Sequence, residues 1–299
     1  MKVYTKRATS YNQQIDLLRR RGIIIEDEEF AKDCLRDIGY YRLGFYIYPF
    51  EMSYPNLGKK REHEVRPGTK LEEIIAFYYY NFDLRNILNR YLSRIEIHIR
   101  TALVYELSNK YGDNPYWYVD KEIVEESFIA DFKKKVYDTN IRMKAPIMRH
   151  HTKYYGRFAP AWKTMEYMTL GNLETLYSAL RSSKDQCQVS MLYGEPSGKV
   201  FRNYISVLRE VRNSCAHSNV IVGMNLQFPI MRGSACPTLP VDMQNTFNGA
   251  LRVIRYLLKR VSSRQELKMM EDLEAATQKL LEKAPSMRGV VETKTGIVV

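Results

Sequence analysis

Asp83-Leu84-Arg85-Asn86-Ile87-Leu88-Asn89-Arg90-Tyr91-Leu92-Ser93-Arg94-Ile95-Glu96-Ile97-His98-Ile99-Arg100-Thr101-Ala102-Leu103 is the stretch that sets the class of fold. Leu84, Leu88, Leu92, Ile95, Ile99, Ala102 and Leu103 recur every three or four residues, so a helix places them on one face. The spacing predicts one helix from about Asp83 to Lys110, ended by Gly112 and Pro115.

The same period runs outward in both directions. A helix is expected from about Ser10 to Arg21, with Ile15 and Leu18 inward and Gly22 as its stop. A second starts near Asp27, a good N-cap, and carries Phe30, Ala31, Cys34, Leu35 and Ile38 before Gly39. The segment Tyr40 to Phe50 is too aromatic for a surface loop and should pack inward, while Pro49 excludes a central strand there. Residues 51–68 read as an exposed connection, and Thr69-Lys70-Leu71-Glu72 has the spacing of a capping box opening a helix through Tyr80. Further helices are predicted at about 121–137, 160–169, 172–182, 185–193 and 198–217. The basic stretch with Arg142, Lys144, Arg149, His150, His151, Lys153 and Arg157 reads as a loop. Residues 223–240, with Pro229, Pro237 and Pro240, must be irregular. Leu251, Ile254, Leu257, Leu258 and Val261 mark another helix, and a charged one ends near Lys283. Beyond Pro285 little is left to bury, so a fraying tail over 284–299 is expected. No long alternating pattern and no internal repeat interrupts this reading, and no composition shift demands a boundary within 1–283. The fold class is all-α.

Composition narrows the function. The 299 residues are 45% hydrophobic and 27% charged, which rules out a wholly disordered chain. No apolar run approaches the roughly 18 residues of a membrane span, and Met1 to Arg7 has no apolar stretch behind its basic residues as a secretory signal would. Cys34, Cys187, Cys215 and Cys236 lie far apart with no C-x-x-C pair, which suits reduced thiols in a cytoplasm better than disulfides, zinc or iron–sulfur clusters. No metal and no cofactor is expected. The net charge of +12 points to an anionic partner, and 23 tyrosines sharpen that toward nucleic acid, since basic side chains neutralise phosphates and rings stack on unpaired bases. A basic but inert surface with tyrosines at the core boundary remains the alternative.

One constellation could carry chemistry. In Arg212-Asn213-Ser214-Cys215-Ala216-His217 an arginine precedes a histidine by five residues, a pattern that is weak by itself. Its context is stronger. On a helix from Ser197, Val200, Tyr204, Leu208, Val211 and Cys215 share one face, while Arg202, Ser206, Arg209, Asn213 and His217 share the other. Asn213 and His217 stand one turn apart, so the amide could orient the imidazole, and the long Arg212 side chain could curl from the apolar rim toward the same opening. An imidazole moves protons and a guanidinium steadies phosphate charge. Those parts suffice to cut RNA without metal, because RNA supplies its own nucleophile, the 2′-hydroxyl. The bland reading is a helix C-terminus where His217 meets the last carbonyls and Arg212 is a solvated rim charge.

Several motifs in order carry a resemblance. Ile38-Gly39-Tyr40-Tyr41-Arg42-Leu43, the run Arg94 to Leu103, Tyr116-Trp117-Tyr118, Met168-Thr169-Leu170-Gly171-Asn172-Leu173 within Trp162 to Leu180, and Leu208 to His217 together resemble the Abi family of bacterial abortive-infection proteins (AbiD/AbiF-like), over about residues 10–265. That family is similar to the HEPN superfamily of helical bundles, many of them metal-independent ribonucleases with a catalytic R-x(4–6)-H motif. The resemblance implies a HEPN-like bundle with additional N- and C-terminal helices, Arg212 and His217 as catalytic residues and Asn213 as the polar residue between them. It further implies toxin-like antiphage action, with a small non-coding RNA or an antitoxin as possible partners.

It also draws attention to the long helix, where Arg85, Asn89, Glu96 and Arg100 form a polar strip. Either Glu96 orients Arg212 or His217 across the bundle, or it simply pairs with Arg100 four residues on. Arg209 lies on the polar face beside the motif, and His98 is structural. Arg149, His150, Lys153 and Arg157 are candidates for RNA contact. One arginine–histidine pair per chain predicts a homodimer, since cyclising cleavage benefits from both a base and an acid. The functional expectation is a cytoplasmic, metal-independent endoribonuclease; the alternative is a non-catalytic module that holds a structured non-coding RNA and acts through a partner.

Overall fold

The structure is a computed structural model and describes residues 7–55 and 61–299. Most of the amino-terminal segment read above for a secretory signal, and the tip of the 51–68 connection, therefore lie outside the described residues. Among the described residues thirteen α-helices follow in order: α1 (Tyr11–Arg20), α2 (Glu28–Ile38), α3 (Tyr40–Ile47), α4 (Leu71–Lys110), α5 (Glu126–Asp131), α6 (Pro146–Tyr155), α7 (Ala161–Thr164), α8 (Leu170–Ser178), α9 (Ser183–Met191), α10 (Gly198–Ala216), α11 (Phe247–Val261), α12 (Ser263–Lys283) and α13 (Arg288–Thr295). Among the described residues β pairing occurs only as isolated bridges, so the protein is all-α. The chain forms two compact units, a division that no composition shift marks. The first takes in residues up to Asn86, Val220–Val222 and Asp272–Val299; the second takes in Ile87–Asn219 and Gly223–Glu271.

In the first unit the local signals act as their chemistry dictates. Ser10 and Gln13 form a reciprocal capping box on α1, and the Asp27 carboxylate accepts the N–H groups of Glu29 and Phe30 to start α2. Gly39, at φ +83°, makes the turn from α2 into α3. The aromatic segment packs inward on one face only: Leu43, Tyr46, Ile47 and Phe50 are buried, but Tyr41 is 83% exposed. The described parts of the 51–68 connection are tied back rather than simply exposed. Glu51 is fully buried and its carboxylate takes two hydrogen bonds from Arg61, at 2.7 and 2.6 Å.

The two helices predicted on either side of Asn81 are a single helix, α4, of 40 residues. Asn81 lies at the join, where a side chain of its kind usually competes with the helix backbone. Here it is buried and fully employed: the amide oxygen accepts the N–H groups of Ile221 and Val222, and the NH2 donates to the Phe77 carbonyl. The capping box at Thr69 does not form either. Thr69 donates its hydroxyl back to the Arg66 carbonyl, and the N–H of Lys70 donates to Glu73, so the cap sits one residue later. The fraying tail is likewise replaced by structure. A turn at Pro285–Met287 leads into α13, and Met287, Val291, Thr295 and Ile297 are fully buried.

In the second unit, α10 packs against α8, α9 and α11. Its expected apolar face, Val200, Tyr204, Leu208, Val211 and Cys215, is buried, as is every apolar position named for the long helix. The helix expected over 121–137 begins at Glu126 and continues from Phe132 to Arg142 in π-helical turns. The basic stretch expected as a loop is largely helix: Pro146, with its ring already at helical φ, opens α6, and Gly156 at φ +109° ends it. On α6, His151 is buried with its Nε2 3.0 Å from the Phe158 carbonyl, whereas His150 is exposed.

Candidate functional site

Helix α10 carries the site and its two ends are well made. The Ser197 hydroxyl accepts the N–H of Val200 at the start. At the other end His217 is the C-cap, and the chain turns through a Schellman motif. The N–H of Asn219 donates to the Ser214 carbonyl at 2.9 Å, and that of Ser218 to the Cys215 carbonyl at 3.2 Å. The position usually held by glycine in this motif is Ser218, at φ +58°. His217 is thus exposed at a helix terminus beside a left-handed residue, where its ring stands clear of the core.

Arg212 stands five residues earlier, about 140° around the helix from His217. Its side chain is 40% exposed and its Nε lies 3.8 Å from the Glu96 carboxylate on α4. The same carboxylate accepts from Arg100 Nη2 at 3.2 Å, and Arg100 also donates to the Met168 carbonyl at 3.0 Å. The Glu96 carboxylate therefore lies within ion-pair distance of Arg100 on its own helix and of Arg212 on α10. Asn213 differs from expectation. Its amide oxygen accepts from Arg212 Nη1 at 3.3 Å, and its bond with His217 is the backbone one, from the His217 N–H to the Asn213 carbonyl. Adjacent residues on a helix point apart, but the length of the arginine lets it fold back onto its neighbour's amide.

A cavity of about 190 Å³ lies along the polar face of α10, lined among others by Ser206, Arg209, Asn213, His217 and Phe228. It shares Ser206, Arg209 and Phe228 with a second of about 320 Å³, which adds Glu174, Lys199, Arg202, Asn203 and Met231. Together they make a groove that runs from Lys199 to His217 with three cationic side chains along it. Arg212 is not among the lining residues; it stands beside the groove, linked to it through Asn213. Arg209 crosses to Glu174 on α8, 2.7 Å away. A Cβ at Gly171 would lie 3.4 Å from Arg209 Cδ, an ordinary van der Waals contact, so α8 passes close to the Arg209 side chain here. Burial raises the Glu174 pKa above the ordinary carboxylate value, while the charges of Arg209 and Arg202 and a hydrogen bond from Ser206 pull against it.

Arg149, His150 and Lys153 lie on α6 and are exposed, with Tyr154 and Tyr155 beside them at 60% and 69% exposure. Lys153 sits over the Tyr154 ring at 5.2 Å, and Arg157 is held by Asp138. These residues form a cationic and aromatic surface but do not line the α10 groove. Glu174, Lys199, Asn203, Gln227, Phe228 and Met231 are groove residues that sequence reasoning passed over. Among the described residues no group of three His, Cys, Asp or Glu side chains converges as a metal ion would require.

The fold and this groove define an all-α protein built around one arginine–histidine helix. The chain belongs to the family described as Abi-like protein, which matches residues 33–222 and so spans Glu96, Arg100, Glu174, Arg212, Asn213 and His217. No curated protein and no solved structure matches the chain. Among the described residues no helix is long and apolar enough to cross a membrane.

Proposed function

We propose that this protein is a metal-independent endoribonuclease of a bacterial antiphage, abortive-infection system. The observation that carries the reading is the joint placement of two groups. An exposed His217 ends a groove lined by Lys199, Arg202 and Arg209, and Arg212 is held beside it by Glu96. The cationic walls take the phosphates of a single strand. His217 removes the proton of a 2′-hydroxyl, the freed oxygen attacks the adjacent phosphorus, and the bond to the 5′-oxygen breaks. Arg212 steadies the charge that builds on the phosphoryl oxygens. The departing 5′-oxygen takes a proton, leaving a 2′,3′-cyclic phosphate and a 5′-hydroxyl. A second copy of the chain supplies a second imidazole as that acid, which makes the working form a homodimer in the cytoplasm.

The test is analysis of product ends. His217→Ala and Arg212→Ala are expected to abolish formation of the cyclic phosphate while RNA affinity and folding persist. Cleavage survives EDTA, and an all-deoxy strand resists because it lacks the attacking hydroxyl. Unimpaired cutting by either variant refutes the assignment. RNA bound but left intact by the wild-type protein favours the non-catalytic binding module instead.

A further inference from the structure

Phe228 is 60% exposed, yet the backbone on both sides of it is firmly held. Glu210 on α10 accepts the N–H of Gln227 at 2.7 Å. Asn203, two turns earlier on the same helix, donates to the Pro229 carbonyl at 3.0 Å and accepts the N–H of Met231 at 2.8 Å. Leu226 is pinned as well, by paired hydrogen bonds with Asn245, and both Leu226 and Ile230 are buried. A loose loop would let a phenyl ring fold down onto apolar surface. This loop does not: it buries the residues two before and two after, and presents the ring to water. The ring lines both halves of the groove, with Arg209 common to the two, Arg202 and Lys199 on one side and His217 on the other.

A flat aromatic surface fixed in water between cations has the chemistry of a nucleobase platform, since bases stack on such rings while the flanking charges hold their phosphates. We infer that Phe228 stacks on an unpaired base of the RNA bound in the α10 groove, next to the position cut by His217. The inference rests on the ribonuclease reading and extends it. Stacking on one ring is tolerant of base identity but requires a base free of its partner, so the groove takes single-stranded RNA and rejects a duplex. Phe228 lies beyond residues 33–222, the part of the chain that matches the family.

The experiment uses the full chain carrying His217→Ala, so that bound RNA stays intact. Fluorescence anisotropy measures binding of a short mixed-sequence single strand, and of the same strand with its bases removed. Adding Phe228→Ala is expected to weaken binding of the intact strand by roughly ten- to a hundredfold. The strand without bases binds both proteins alike, and Phe228→Trp restores the affinity. Circular dichroism checks that each variant is folded. If Phe228→Ala does not fold, Phe228→Trp supplies the decisive readout, because a stacked indole loses emission when RNA binds. Equal affinity with and without the ring, or no change in indole emission, overturns the inference and leaves the ribonuclease reading standing. Failure of the Phe228-containing protein to bind any RNA at low salt removes both.

Discussion

Glu96→Gln takes away one negative charge shared by two guanidiniums and leaves the side chain's shape and a carbonyl acceptor in place. At an effective dielectric of about 20, Coulomb's law gives a gross attraction of about 5 kcal/mol for Arg100 at 3.2 Å and about 4 kcal/mol for Arg212 at 3.8 Å. The net effects are smaller and unequal. Arg212 is 40% exposed, so water screens its share to below about 1 kcal/mol. The Glu96 and Arg100 side chains are only 14% and 11% exposed, and breaking a pair this dry leaves a guanidinium with little besides the Met168 carbonyl. A fully buried pair costs about 3–5 kcal/mol to break, and the retained amide oxygen brings the expected loss to about 2 kcal/mol. Urea denaturation reads that loss. Single-turnover cleavage reads the second effect: with Arg212 no longer held, the rate is expected to fall by about two- to fivefold, the change that an interaction below about 1 kcal/mol allows, while RNA affinity stays unchanged. A wild-type rate for Glu96→Gln refutes the positioning role.

Other expectations follow from single features. Ser218→Gly relieves a left-handed backbone that costs an L-residue roughly 1–2 kcal/mol, and after the extra chain entropy of glycine it should stabilise the protein by about 0.5–1 kcal/mol in the same urea titration. A loss of stability would mean that the serine side chain contributes more than its backbone strain. Burial raises the Glu174 pKa, so the native state binds its proton more tightly than the unfolded chain does. Stability from this group is therefore present at low pH and lost as pH rises from the ordinary carboxylate range through the raised value. Glu174→Gln should flatten that part of the pH profile, and an unchanged slope would exclude the assignment. Burial pushes the thiols of Cys34 and Cys236 up to about 11, and Cys215 is buried too. Brief alkylation of the native chain at pH 8 should therefore label half-exposed Cys187 alone, as mass spectrometry can show.

What the amino-acid order reveals here depends on the range of the interaction that decides each feature. Helix α10 was legible because its cap and its buried face are both local: Ser197 precedes apolar residues three and four apart. The unity of α4 was not, because at the join Asn81 accepts from the N–H groups of Ile221 and Val222, far away in the chain. The α6 stretch was dense in charge and its single buried histidine could not be told from its exposed neighbour. The tail hid three inward positions, Met287, Val291 and Thr295, one turn apart behind a proline. At the site, the histidine, the arginine and Glu96 could be named from spacing and resemblance. That Asn213 serves the arginine and not the imidazole depends on rotamers, which a helical wheel does not contain. Glu174 and Phe228 reach the groove from another helix and from a loop without period, so no pattern announced them.

The grip on residues 227–231 has a consequence for how such a protein can change over time. Glu210 and Asn203 hold only peptide groups, at positions 227, 229 and 231. Their hold is indifferent to which side chain occupies position 228. A lineage can therefore exchange the displayed residue for another aromatic, a polar group or a charge without rebuilding the scaffold, much as a tool holder accepts a different bit.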